Sequence, residues 1–145
     1  MARVQVAINV PDIDQAVAFY SRLFGVSPHK ERPGYANFEV ADPPLKLVLF
    51  EQQGPDRLNH LGVEVEATAA VAAETKRLAA SGLATEVEDG VVCCHAEQDK
   101  VWVRDPGDIR WEIYTITDDM LESGDAAPAE LATSTKGVAK RPCCS

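Results

Sequence analysis

The chain is expected to fold as an α+β protein in which one pattern, a strand followed by a helix and then by more strands, occurs twice around a shared cavity. Three observations carry this expectation. Apolar residues alternate from Val4 and again from Leu61, the period of a strand with one apolar face. Each run precedes a helical stretch that stops at a glycine, Gly25 and then Gly82. Short strand candidates follow each helix, so the halves repeat in pattern though not in letters. At 145 residues the chain suits one domain, or two very small modules sharing a core.

In order, Val4, Val6, Ile8 and Val10 form the first apolar face, and Pro11-Asp12 marks a helix start with Asp12 as N-cap. Ile13, Ala16, Val17, Tyr20, Leu23 and Phe24 follow at helical spacing. Two strands are expected at Tyr35 to Val40 and Leu45 to Glu51, turned by Asp42-Pro43-Pro44. After the break at Gln53-Gly54-Pro55-Asp56 the pattern restarts with Leu61, Val63 and Val65. Thr68 is expected to cap a helix running through alanines to Ser81. Four strands are then expected: Leu83 to Glu88, Val91 to Cys94, Val101 to Arg104 and Ile109 to Thr115. Superposing the halves sets Gln5 on His60, Ala7 on Gly62, Asp12 near Thr68, Gly25 near Gly82 and Val48 on Glu112. The expected organisation is a two-module domain over residues 1–117, with modules at about 1–54 and 57–117, and a flexible tail over 118–145. The tail reads so because it is rich in Ala, Ser, Thr, Pro, Gly and charge. It ends in a second adjacent pair, Cys143-Cys144.

Composition excludes several classes. A formal charge of -9 argues against nucleic acid or an anionic membrane as a partner. No apolar run approaches the length of a membrane span. Met1-Ala2-Arg3 leads directly into a strand pattern, so no signal peptide is expected. Four cysteines in two adjacent pairs then suggest a reduced, cytoplasmic setting. Two modules in one chain can build a whole site, so no obligate protein partner is expected.

Cys93 and Cys94 are the chemically loudest residues. A disulfide between neighbours distorts the peptide between them, and along a regular strand their side chains would oppose each other. To act together they must sit where a strand gives way to a loop. Such a pair suits a soft centre with two exchangeable positions. A trivalent organoarsenical fits, because two thiolates replace its two hydroxyls and the carbon group completes three-coordination. The ordinary alternative is two small core residues. The following stretch, His95 to Lys100, is polar and reads either as a lid or as an exposed hairpin connection; neither His95 nor Lys100 is assigned a role.

Gln5, His60 and Glu112 occupy the polar face of their strands, opposite the Val, Leu and Ile residues. Packing two similar modules brings those faces together, and Ala7 and Gly62 leave room. One imidazole, one carboxylate and one amide suit Fe(II), Mn(II) or Ni(II) better than a closed zinc site. The fourth related position is Val48, which has no donor, so coordination positions stay open. Singly, each residue has a plainer role: a hydrogen-bonded histidine, a solvent-facing glutamate, an ordinary strand glutamine.

Val4 to Tyr20, Asn59-His60-Leu61-Gly62-Val63 and Asp105-Pro106-Gly107-Asp108-Ile109-Arg110-Trp111-Glu112 resemble the vicinal-oxygen-chelate superfamily, also called the glyoxalase–bleomycin-resistance superfamily. Its members pair two βαβββ modules around a divalent metal in a barrel-like cavity. The two cysteine pairs narrow the resemblance to the bacterial C–As lyase family. That resemblance implies a non-heme Fe(II) dioxygenase, with dioxygen as co-substrate, that cleaves the carbon–arsenic bond of trivalent methyl and aromatic arsenicals and releases arsenite. It implies Gln5, His60 and Glu112 as metal ligands, with Ni, Co or Mn as other occupants, and Cys93 and Cys94 as the arsenic-binding catalytic pair. Many superfamily members carry His where this chain has Gln5. Two competing readings are a glyoxalase- or thiol-transferase-like metalloenzyme, against which Val48 counts, and a thiol protein that sequesters cadmium or a metalloid.

Overall fold

The first strand, β1 (Arg3–Val10), turns Gln5, Ala7 and Asn9 to one face and Val6, Ile8 and Val10 to the other. The computed structural model that shows this describes residues 2–122 and residue 125. Helix α1 (Ile13–Phe24) begins where Asp12 Oδ1 accepts the amide of Gln15 at 3.0 Å, and stops at Gly25, whose φ of 66° is left-handed. That is the capping expected from sequence. Its apolar stripe of Ile13, Ala16, Val17, Tyr20 and Phe24 covers Phe38, Leu47 and Leu49. Strands β2 (Lys30–Arg32), β3 (Tyr35–Val40) and β4 (Leu45–Glu51) complete the first half. The second half repeats this order as β5 (Leu58–Glu64), α2 (Thr68–Ala80), β6 (Glu86–Cys93), β7 (Ala96–Arg104) and β8 (Arg110–Asp118).

All eight strands form one sheet in the order β2-β3-β4-β1-β5-β8-β7-β6. Reading the second half backwards reproduces the first, which is a pseudo-two-fold through the antiparallel β1–β5 seam. The register makes it specific: Gln5 faces Gly62 and Ala7 faces His60 across the seam, while Ala7 pairs Val48 and Gly62 pairs Glu112 in the two parallel ladders. These are the equivalences the superposed halves predict. The fold is the vicinal-oxygen-chelate α+β arrangement, a sheet curled into a half-barrel with α1 and α2 on its outer face. Val71 and Leu78 of α2 pack there against Val101, Val103 and Ile113. Among the described residues, no helix is long and apolar enough to cross a membrane.

Several expectations need correction. Thr68 is the first residue of α2 and not its cap; Ala67 holds that position with no side-chain bond, and the Thr68 hydroxyl donates to Asp99 at 2.6 Å instead. The two strands expected on either side of Asp89-Gly90 are one, β6, whose register against β7 slips there. Gly90 absorbs the slip with a φ of 59° and donates its amide to Asp99 at 2.7 Å. Strand β7 starts at Ala96, so of the two readings of His95 to Lys100 the structure has a hairpin and not a lid: Ala96 to Lys100 is paired backbone, and only Cys94 and His95 form the turn. Strand β2 was not anticipated: Lys-Glu-Arg lacks apolar alternation, yet Lys30 is buried along its whole length. Strand β8 runs on to Asp118, and Asp119 and Asp125 pair with Lys30 and Arg32. The rest of the expected tail, with Cys143 and Cys144, lies outside the described residues.

Candidate active site

The concave face gathers Gln5 from β1, His60 from β5 and Glu112 from β8, each at most 4% exposed. Gln5 Nε2 stands 2.6 Å from Glu112 Oε1 and 3.1 Å from His60 Nε2, and the last two atoms are 3.2 Å apart. Three residues from three strands, spread over 107 positions, thus meet in a triangle about 3 Å on a side. Gly62 makes room for it. A β-carbon there would lie 2.9 Å from both Cγ and the carbonyl oxygen of Glu112, closer than packed atoms tolerate.

Hydrogen bonding around the triangle sets the form of His60. The carbonyl of Asp56 can only accept, so the bond to it, 3.2 Å, identifies Nδ2 of Asn9 as the donor. Asn9 Oδ1 therefore accepts from Asn59 Nδ2 at 3.0 Å, and Asn59 Oδ1 faces His60 Nδ1 at 2.8 Å. Nδ1 of His60 therefore carries a proton, which fixes the ring and directs Nε2 at Glu112 Oε1 and the Gln5 amide.

Glu112 is fully ionised there. Burial pushes its carboxyl up, but contact with His60 and the Lys100 ammonium outweighs burial and holds it at about 2. Lys100 Nζ is 2.7 Å from Glu112 Oε2 and lies over the rings of Trp102 and Tyr114. Tyr114 donates its hydroxyl to Gln5 Oε1; burial first, then the negative charges of Glu64 and Glu112, raise its pKa well above the usual value. Sequence reading assigned no role to Lys100, Tyr114, Asn9 or Asn59. Only the alternation that puts Lys100 on the same strand face as Trp102 hinted at the first.

The donor set fits a divalent ion on one condition. Metal bonds of about 2.1 Å at right angles place neighbouring donors about 3 Å apart, the spacing observed. Among the described residues no three His, Cys, Asp or Glu side chains converge, so the amide must complete the set. Gln5 currently turns nitrogen inward, and a half-turn of its amide presents Oε1 while Tyr114 accepts from the amide hydrogens.

The cysteines end β6 and open the turn into β7. Cys93 pairs with Ala96, and Cys94 and His95 have φ of 52° and 63°, the conformation of a two-residue hairpin turn that glycine or asparagine usually fills. The strained backbone lets two neighbouring sulfurs approach to 3.5 Å, and the strand-to-loop position is as expected. Neither cysteine is free, and the two sulfurs are not bonded to each other. The turn is held at both ends: Gln98 Nε2 donates to the Cys93 carbonyl at 2.8 Å, and Lys30 Nζ donates to the His95 carbonyl at 2.8 Å. Cys94 packs against the cluster of Ala7, Tyr35 and Val48. It therefore sits beside the position where the repeat lacks a fourth donor, and it lines one cavity with Gln5 and Tyr114.

Residues 3–113 match the family model described as Glyoxalase/Bleomycin resistance protein/Dioxygenase superfamily. The chain is 58% identical to the cadmium-induced protein CadI of Mycobacterium tuberculosis over 92% of its own length and 88% of that protein's. It is 56% identical to a trivalent organoarsenical cleaving enzyme of Thermomonospora curvata, covering 88% of this chain and 87% of that one. Among solved structures, the Mn(II)-bound glyoxalase of Novosphingobium aromaticivorans superposes with a TM-score of 0.60 at 19% identity, over 89% of this chain and 44% of that one. Homoprotocatechuate 2,3-dioxygenase of Arthrobacter globiformis gives 0.57 at 22%, over 79% and 35%. On the match of its paired halves and of most of its length, the chain belongs to the glyoxalase/bleomycin resistance protein/dioxygenase superfamily.

Proposed function

We propose that this protein cleaves the carbon–arsenic bond of trivalent organoarsenicals, using Fe(II) and dioxygen, and releases arsenite. The observation that carries the reading is the seat of Cys94: against Val48, on the side of the triangle that has no donor of its own. The 56% identity to an organoarsenical cleaving enzyme supports the same substrate class.

In this reading Gln5 through its oxygen, His60 through Nε2 and Glu112 through Oε1 hold the metal, which supplies Lewis acidity and dioxygen activation when bound. Lys100 keeps Oε2 occupied, so Glu112 offers a single oxygen. Cys93 and Cys94, once reduced, replace the two hydroxyls of the arsenical and leave its carbon as the third substituent. Holding arsenic at two points fixes the direction of that carbon, which is catalysis by positioning. The buried Tyr35 and Val48, with the partly buried Phe50 against them, keep water from the cleaved bond. Released arsenite requires thiol exchange back to hydroxide.

The test is anaerobic loading of the reduced protein with Fe(II) and methylarsenite, followed by arsenic speciation before and after air is admitted. Arsenite only after air supports the reading; no arsenite under either condition overturns it. The similarity to CadI favours a second reading, in which the cysteines sequester cadmium or a metalloid. That reading expects tight binding with no carbon–arsenic cleavage and no dependence on the Gln5–His60–Glu112 triangle.

A further inference from the structure

Two side-chain oxygens in the cavity beside Cys94 accept no hydrogen bond among the described residues: Gln98 Oε1 and Asn37 Oδ1. Both residues are buried, 4% and 2% exposed. The orientation of Gln98 is not free, because its Nε2 is committed to the Cys93 carbonyl, which can only accept. In the orientation observed, Asn37 Nδ2 donates to the Tyr35 hydroxyl at 2.9 Å, a partner that can also donate. Two acceptors on residues that line one cavity thus receive nothing among the described residues, a costly arrangement unless a donor arrives. The cavity volume is about 10 Å³, the scale of one water oxygen. A hydroxyl fits there.

Resting on the organoarsenical reading above, we propose that Gln98 and Asn37 form the leaving-group subsite for the arsenic-bound hydroxyl that Cys94 displaces. A trivalent arsenical arrives as R–As(OH)₂. Once an external thiol reductant has freed it, the Cys94 thiol forms an As–S bond, one As–O bond breaks, and the thiol proton ends on the departing oxygen, which leaves as water with no change in oxidation state at arsenic. A bound hydroxyl can offer one hydrogen, whereas the departing water offers two, one for each amide oxygen. The subsite therefore matches the leaving group better than the reactant, and it accelerates the exchange step itself. Lys30 and Lys46 also line the cavity, but their ammonium groups are spent on Asp119 and His95 and on Glu39.

The test separates hydroxyl from thiol leaving groups on the full chain. Cys143→Ser and Cys144→Ser are placed in every protein so that one thiol pair remains, and the protein is reduced with a phosphine under argon. Stopped-flow tryptophan fluorescence then follows binding of CH₃As(OH)₂ and, separately, of CH₃As(SCH₃)₂, which has no O–H to donate. Asn37→Leu should slow the dihydroxyl reagent about fivefold, the worth of one hydrogen bond, and leave the dithiol reagent unchanged; Gln98→Leu, which also releases the Cys93 carbonyl, should slow the dihydroxyl reagent about fivefold more than the dithiol reagent. Asn37→Leu does not touch the Cys93 carbonyl, so it controls for loss of the turn's anchor. Equal slowing of both reagents means that the amides only shape the turn, and no slowing means that they hold a resident water; either result overturns the subsite. Failure of the parent protein to bind either reagent would remove the cysteine–arsenic reading as well.

Discussion

Asn59 illustrates how a residue with no reach into the cavity can decide what the cavity does. It transmits the polarity of a backbone carbonyl, through Asn9, to the Nδ1 of His60. Asn59→Leu should keep the fold but lower affinity for a divalent metal by roughly 10- to 100-fold, read by competition with a chromophoric chelator; Asn59→Asp, which still accepts from Nδ1, should recover most of it. Unchanged affinity in the leucine variant would mean that His60 needs no such orientation. Glu112 has a second duty, since Glu112→Ala leaves the Lys100 ammonium buried without its carboxylate. We expect a loss of about 3–5 kcal/mol by chemical denaturation even without metal, where His60→Ala should cost less. Cys93→Ser and Cys94→Ser should each remove most arsenite release with metal content intact, because a single sulfur cannot fix the carbon's direction. Wild-type release from Cys94→Ser would reduce the pair to core packing.

At the scale of elements, the short strand β2 matters more than its length suggests. Lys30 ties the His95 carbonyl of the β6–β7 turn to Asp119 beyond β8, so three elements from both halves meet on one ammonium. Burial raises the Asp119 carboxyl, but hydrogen bonds from His29 and Lys30 outweigh it and hold it at about 2 against an ordinary 3.8. A carboxyl depressed in the folded state stabilises it fully above the unfolded value and loses that contribution as pH falls through the folded one. The clasp should therefore weaken between about pH 4 and pH 2, by on the order of 2 kcal/mol. Asp119→Asn should flatten the stability profile over that window, checked by urea denaturation at stepped pH; an unaltered profile would place the acid sensitivity elsewhere.

For the whole molecule, the pseudo-two-fold explains both the donors present and the one missing. Gln5 and His60 are related across the β1–β5 seam, and Glu112 is related to Val48 through the matching parallel ladders. A symmetric site would carry four donors, and this one has Val48 with Cys94 against it. Val48→Glu should complete the set, tightening divalent metal binding while arsenite release falls, because on the proposed function the added carboxylate occupies the side assigned to the arsenical. Higher affinity with full turnover would show that the open side is not where substrate sits.

Much of this was legible from sequence because it depends on local period and on repetition. Alternation named six strands within a few residues, Asp12 and Gly25 bounded α1, and aligning the halves put Gln5, His60 and Glu112 in one register. A repeat fixes which residues are equivalent, and equivalence about a two-fold axis is proximity. The adjacent cysteines could likewise be placed at a strand end, because a regular strand separates neighbouring side chains. Strand β2, the single bulged β6 and the strand pairing of Ala96 to Lys100 were not legible: each exists through ladder partners remote in sequence, which a local pattern does not contain. The same holds for Lys100, Tyr114, Asn9, Gln98 and Asn37. As letters they are ordinary strand residues. Only the curling of one sheet into a half-barrel turns their polar ends toward a shared interior, where low polarity makes each unpaired donor or acceptor consequential.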